Sequence, residues 1–98
     1  MVKHIVTFKL NGTPEVRRRV ASEFAEALLA LPEKIECLRS MEVGINENPT
    51  EDWDVVLTAV VDTMEEVGEY ARHPEHVKAA AIVGPYKAAR ACVDYYFD

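Results

Sequence analysis

Trp53 to Val61 reads as a strand with two mostly apolar faces. Trp53, Val55, Leu57, Ala59 and Val61 share one face, and Val56, Thr58 and Val60 lie on the other. A strand of that kind has to be covered on both sides. The requirement weighs heavily in a chain of 98 residues, which supports one core burying roughly 60–70 % of the unfolded surface and has no room for a second domain. Residues 1–98 are therefore expected to form a single domain.

The elements available as cover follow from periodicity. Val2, His4, Val6, Phe8 and Leu10 alternate with Lys3, Ile5, Thr7 and Lys9, the pattern of a first strand. Asn11-Gly12 interrupts it. Thr13-Pro14-Glu15 then supplies a capping side chain, a proline at the first helical position and an early acid. Val16, Val20, Phe24, Leu28 and Leu31 repeat at steps of three or four, giving a long helix that ends at Pro32. Arg17, Arg18 and Arg19 lie on that helix. Successive helical residues sit about 100° apart, so the three guanidiniums are expected on a solvated face and not around one anion.

A second strand is expected from about Cys37 to Ile45, followed by a polar loop from Asn46 to Asp52 and then by the Trp53 strand. Thr63 and Glu66 form a capping box for a short helix through Tyr70 and Ala71. Pro74 opens another helical stretch, Glu75 to Val83, which Gly84-Pro85 stops. A last strand is expected from about Arg90 to Phe97. Its residues Ala91, Val93, Tyr95 and Phe97 share one face, with Cys92 and Tyr96 on the other.

The order strand, helix, strand, strand, broken helix, strand is the α+β, ferredoxin-like βαββαβ arrangement with a four-stranded antiparallel sheet. Its helices cover one sheet face only. A second copy packed sheet to sheet is the simplest cover for the other, so a homodimer is expected.

Composition excludes several classes. The chain is 49 % hydrophobic and 29 % charged, as in ordinary globular proteins. With a net charge of −6 and dispersed Lys and Arg it lacks the basic footprint of nucleic-acid binding. No apolar run reaches the roughly 18 residues of a membrane span, and the start lacks a signal-peptide core; no membrane partner and a cytoplasmic location are the expectations. Cys37 and Cys92 lie in no zinc-type spacing and read as buried thiols. Gly12, Gly44, Gly68 and Gly84 are isolated, so there is no phosphate loop.

The concentrated chemistry is in His4, Tyr70, His73 and His76. His4 shares the inward face of its strand, where an imidazole needs a partner, expected to be Tyr70 or a backbone carbonyl. His73 precedes Pro74 and is biased to extended geometry, and His76 falls in the first turn of the next helix. Three readings stand side by side. The residues form a satisfied core and a structural joint; or an acid/base pocket in which His76 removes a proton beside a carbonyl while Tyr70 or His4 donates to the enolate oxygen; or a metal site of His4 with His73-x-x-His76, to which spacing ties no carboxylate. Cys92 as a nucleophile paired with a histidine is a remote fourth.

Three segments carry a family resemblance: Val2 to Leu10, Tyr70-Ala71-Arg72-His73-Pro74-Glu75-His76, and Val93-Asp94-Tyr95. Together they make the chain similar, over almost its whole length, to the stress-responsive A/B barrel (Dabb) family of the dimeric α/β-barrel superfamily. The resemblance implies ferredoxin-like subunits dimerising through their sheets. Most such proteins are stress-associated without an assigned reaction, while plant polyketide cyclases of the olivetolic acid type use a histidine and a tyrosine for an aldol-type ring closure. By motif position it implies His76 as catalytic base, Tyr70 as orienting hydroxyl, and His4 and His73 as neighbours. The site is accordingly expected to be a small hydrophobic pocket with His76, Tyr70 and His4 as its catalytic group and His73, Val6 and Phe8 lining it, taking a small apolar or carbonyl ligand without cofactor or metal. Arg72, between Tyr70 and His73, departs from an alkyl-binding pocket. A non-catalytic structural or interaction protein is the alternative.

Overall fold

A computed structural model describes residues 1–98. Its elements are β1 (Val2–Leu10), α1 (Pro14–Leu29), β2 (Ser40–Ile45), β3 (Val55–Val61), α2 (Met64–Arg72), α3 (Pro74–Val83) and β4 (Lys87–Tyr96), with single 3-10 turns at Leu31–Glu33 and Gly84–Tyr86. The strands form one antiparallel sheet in the order β2-β3-β1-β4. This is the expected ferredoxin-like βαββαβ fold, with the Trp53 strand inside the sheet.

Local signals act as the sequence suggests. Gly12 takes a positive φ of 120° between β1 and α1, a conformation that side-chain-bearing residues rarely adopt. Thr13 caps α1 by accepting the Val16 N–H, and Thr63 and Glu66 complete a reciprocal capping box on α2. The three arginines diverge: Arg17 pairs with Asp54, Arg18 with Glu47 and Arg19 with Glu23.

Three strand starts move, and α1 ends at Leu29, ahead of the 3-10 turn that contains Pro32. β2 starts at Ser40, not Cys37, because residues 31–38 coil to bury Leu31, Ile35 and Leu38 beneath the sheet. β3 starts at Val55, because Asp54 spends its carboxylate on the Leu10 N–H at 2.7 Å and on Arg17. β4 starts at Lys87, three residues early, through an irregularity opposite Lys9 and Leu10.

The core lies between the sheet and the helices. Val2, Val6, Phe8 and Leu10 of β1 meet Val55, Leu57, Ala59 and Val61 of β3 and Val20, Phe24 and Leu28 of α1, with Phe8 edge-on to Phe24 at 5.4 Å. The outer sheet face has no cover within the chain: Val56, Val93 and Tyr95 are 39 %, 62 % and 41 % exposed. β4 is an edge strand, and its helix-facing residues Arg90, Asp94 and Tyr96 are also exposed.

Candidate functional site

The break between α2 and α3 builds the site. His73, at φ −61° and ψ 135°, ends α2 and begins α3, the extended geometry expected before Pro74. Its Nδ1 accepts the Glu75 N–H at 3.1 Å, so His73 serves as an N-cap. In one continuous helix, residues six apart point about 120° away from each other. The break folds the chain back and sets the rings of Tyr70 and His76 4.5 Å apart. The His4 ring, rising from β1, stands edge-on to Tyr70 at 5.7 Å. His4, Tyr70 and His76 are thus brought together. His73 is at their border with its Nδ1 occupied, and Val6 and Phe8 continue the His4 face of β1 into the core.

The polar groups are unevenly satisfied. Tyr70 is 1 % exposed and its hydroxyl has no hydrogen-bond partner. Burial pushes its phenol well above the ordinary value, so it stays protonated and able to donate. His76 Nδ1 lies 2.9 Å from the Ala71 carbonyl. A carbonyl only accepts, so Nδ1 carries the proton and Nε2 is left as the basic nitrogen. Burial, with smaller contributions from His4 and Arg90 against the Ala71 carbonyl, lowers the His76 pKa. His76 is therefore a neutral imidazole near pH 7.

His4 is 6 % exposed and its partner is neither Tyr70 nor a backbone carbonyl, as expected, but Asp94. Nδ1 donates to Asp94 Oδ1 at 2.5 Å. The reason is register: β1 pairs with β4 so that His4 faces Asp94 and Val6 faces Cys92. Cys92 Sγ lies 3.5 Å from the same Nδ1 and 3.6 Å from Asp94 Oδ1. Cys37 and Cys92 are both free and half-buried, which corrects the expectation of buried thiols; Cys92 sits on the edge strand, where helix cover is incomplete. Burial first and the Asp94 charge second raise its pKa. A nucleophilic Cys-His-Asp relay needs thiol and carboxylate on opposite ring nitrogens. Here both meet Nδ1, so the arrangement is not such a triad.

Sequence reasoning misses Asp94 as a site residue and names Cys92 only as a nucleophile beside a histidine, although a signal for both is present. With Cys92 and Tyr96 on one face of the last strand, period two puts Asp94 between them on that same face. Only the pairing register, which shows that face meeting His4, was lacking.

Two developed clefts lie at the other end of β1. One, of about 710 Å³, includes Arg17, Arg18, Asp52 and Asp54 among its lining; another, of about 580 Å³, opens beside Thr7, Trp53 and Val56. No helix is long and apolar enough to cross a membrane.

Comparison with known proteins assigns the family. The stress responsive A/B barrel domain matches residues 2–97. An uncharacterised protein of Streptomyces coelicolor is 33 % identical, over 99 % of this chain and all of its own length. A dimeric protein of unknown function with a ferredoxin-like fold from Bacteroides fragilis is 48 % identical, covers 98 % of this chain and 95 % of its own, and superposes with a TM-score of 0.94. A dimeric ferredoxin-like protein of unknown function from Thermobifida fusca is 25 % identical over 98 % of this chain and 90 % of its own, with a TM-score of 0.75. The profile spans all four strands and every site residue discussed above, and the chain belongs to the stress responsive A/B barrel (Dabb) family.

Proposed function

We propose that this Dabb-family protein binds a small carbonyl compound beside Tyr70 and performs cofactor-free acid/base chemistry on it. The observation that carries the reading is the Tyr70 hydroxyl, a buried donor without a partner, on a ring packed against two imidazoles whose Nδ1 atoms are tied up elsewhere. An unpaired buried hydroxyl costs about 1–3 kcal/mol, a cost that a ligand oxygen at this position relieves. In this reading Tyr70 donates to the carbonyl oxygen and stabilises the charge that develops there. His76, neutral and with Nε2 unprotonated, removes the adjacent proton. His4, oriented by Asp94 and edge-on to the Tyr70 ring, holds a second acceptor in this reading.

The test is proton exchange at the activated carbon of small 1,3-diketones in heavy water, followed by NMR. Exchange above the buffer rate is expected, falling about 100-fold or more in His76→Gln and in Tyr70→Phe. Exchange at the buffer rate in the folded wild-type protein refutes the reading. A second reading, a non-catalytic interaction protein of stress-associated type, is favoured by one observation: the two developed clefts lie away from the histidines.

The protein is further proposed to act as a homodimer joined through the outer sheet face. The dimeric state of the Bacteroides fragilis and Thermobifida fusca proteins supports this, as do the uncovered Val56, Val93 and Tyr95.

A further inference from the structure

We propose that His4, Cys92 and Asp94 form a binding site for one divalent transition-metal ion of the zinc class, with a fourth position open toward solvent over β4. The three side chains belong to adjacent strands, and their ligand atoms all lie within 4.8 Å of one another. Bonds of about 2.0–2.3 Å at the tetrahedral angle put the ligand atoms of a zinc site about 3.3–3.6 Å apart. Two of the three edges already have that length, Cys92 Sγ to His4 Nδ1 at 3.5 Å and Cys92 Sγ to Asp94 Oδ1 at 3.6 Å. The third, His4 Nδ1 to Asp94 Oδ1, is closed to 2.5 Å by a hydrogen bond and has to open by rotation of the partly exposed Asp94 side chain.

The donor set selects the metal. One thiolate, one imidazole and one carboxylate suit zinc or cobalt(II), whereas magnesium and calcium prefer oxygen ligands throughout. Three protein ligands with the fourth position open is the pattern of exchangeable and catalytic zinc sites, in contrast to closed structural ones.

The proton balance is defined. Starting from a neutral His4 ring, the metal replaces the Cys92 thiol proton, which leaves for solvent, and the His4 Nδ1 proton, which returns to the ring on Nε2. One proton is released per ion bound, and Asp94 exchanges a hydrogen bond for a metal bond. His4 thereby changes from a ring with a bare Nε2 to one with an Nε2–H. The metal thus reverses the hydrogen-bonding polarity of the imidazole beside Tyr70 while touching neither Tyr70 nor His76. This inference does not rest on the carbonyl chemistry proposed above, because metal uptake is measured without any substrate.

Untagged protein, stripped with a chelator and dialysed, is titrated with cobalt(II) and then with zinc. The expected result is one equivalent of cobalt per chain, with tetrahedral visible bands and a thiolate charge-transfer band that zinc abolishes by displacement. Cys92→Ser removes the charge-transfer band and weakens uptake by more than about 100-fold, since even groups outside the ligand set are commonly worth 10–100-fold. Cys37→Ser leaves both unchanged. Asp94→Asn, at an exposed position and able to keep the His4 hydrogen bond, weakens uptake with the fold intact by circular dichroism. No saturable uptake by the wild-type chain overturns the site, as does uptake insensitive to Cys92→Ser and Asp94→Asn, or a charge-transfer band lost in Cys37→Ser.

Discussion

The rings of Tyr70 and His76 pack 4.5 Å apart, yet the environments of the Tyr70 hydroxyl and the His76 imidazole dictate opposite responses to removal. Tyr70→Phe deletes a buried hydroxyl that has no partner, so it is expected to leave stability unchanged or raise it by about 1 kcal/mol. Urea denaturation checks this, and a clear loss would mean that the hydroxyl has a structural role. His76 differs because its folded pKa is lowered, chiefly by burial. The unfolded chain takes up a proton near the ordinary value of about 6.5, before the folded chain does. The stability of neutral His76 is therefore complete above about pH 6.5 and is lost progressively as pH falls from there toward the folded pKa. His76→Gln, which retains a donor for the Ala71 carbonyl, is expected to flatten the stability profile in that window. The difference between the two profiles between about pH 5 and 7 is the measurement.

At the scale of elements, capping carries much of the local order. Thr63→Ala removes one half of the α2 capping box and is expected to cost about 1 kcal/mol, read from the thermal midpoint. Its effect should reach the site, because α2 delivers Tyr70. Thr63, Glu66, Pro14, Gly12 and Pro74 were all legible in the sequence, since each acts on groups within a few residues of itself. What lay beyond the sequence was non-local. β2 starts late because Leu31, Ile35 and Leu38 find the core, and β4 starts early because of how it pairs with β1. The site divides in the same way. His4, Tyr70 and His76 were placed by strand parity and by the helix break at Pro74, both local. Their second layer, Asp94 and Cys92, depends on register between strands about 90 residues apart, which periodicity does not specify.

At the scale of the whole molecule, the two faces of the sheet make different demands. The inner face is covered by three helices over β1 and β3, with β4 left partly open and the Tyr70 hydroxyl as its one buried side-chain polar atom without a partner. The outer face carries Ile5, Val56, Val93 and Tyr95 in a chain of 11.0 kDa whose similar solved structures include dimers. A stable interface buries about 800 Å² on each partner, an area on the scale of one such sheet face. Val93 is 62 % exposed on the edge strand and pairs with Ile5, inside this face. A two-fold axis brings every substitution into the interface twice. Val93→Asp is therefore expected to shift the protein from about twice 11.0 kDa to the monomer mass in sedimentation equilibrium. Leu29, 54 % exposed at the end of α1, lies on the helix side of the molecule. Leu29→Lys is expected to leave the dimer intact. Dissociation by Leu29→Lys together with a dimeric Val93→Asp would place the interface on the helices, and the outer sheet face would then need another cover.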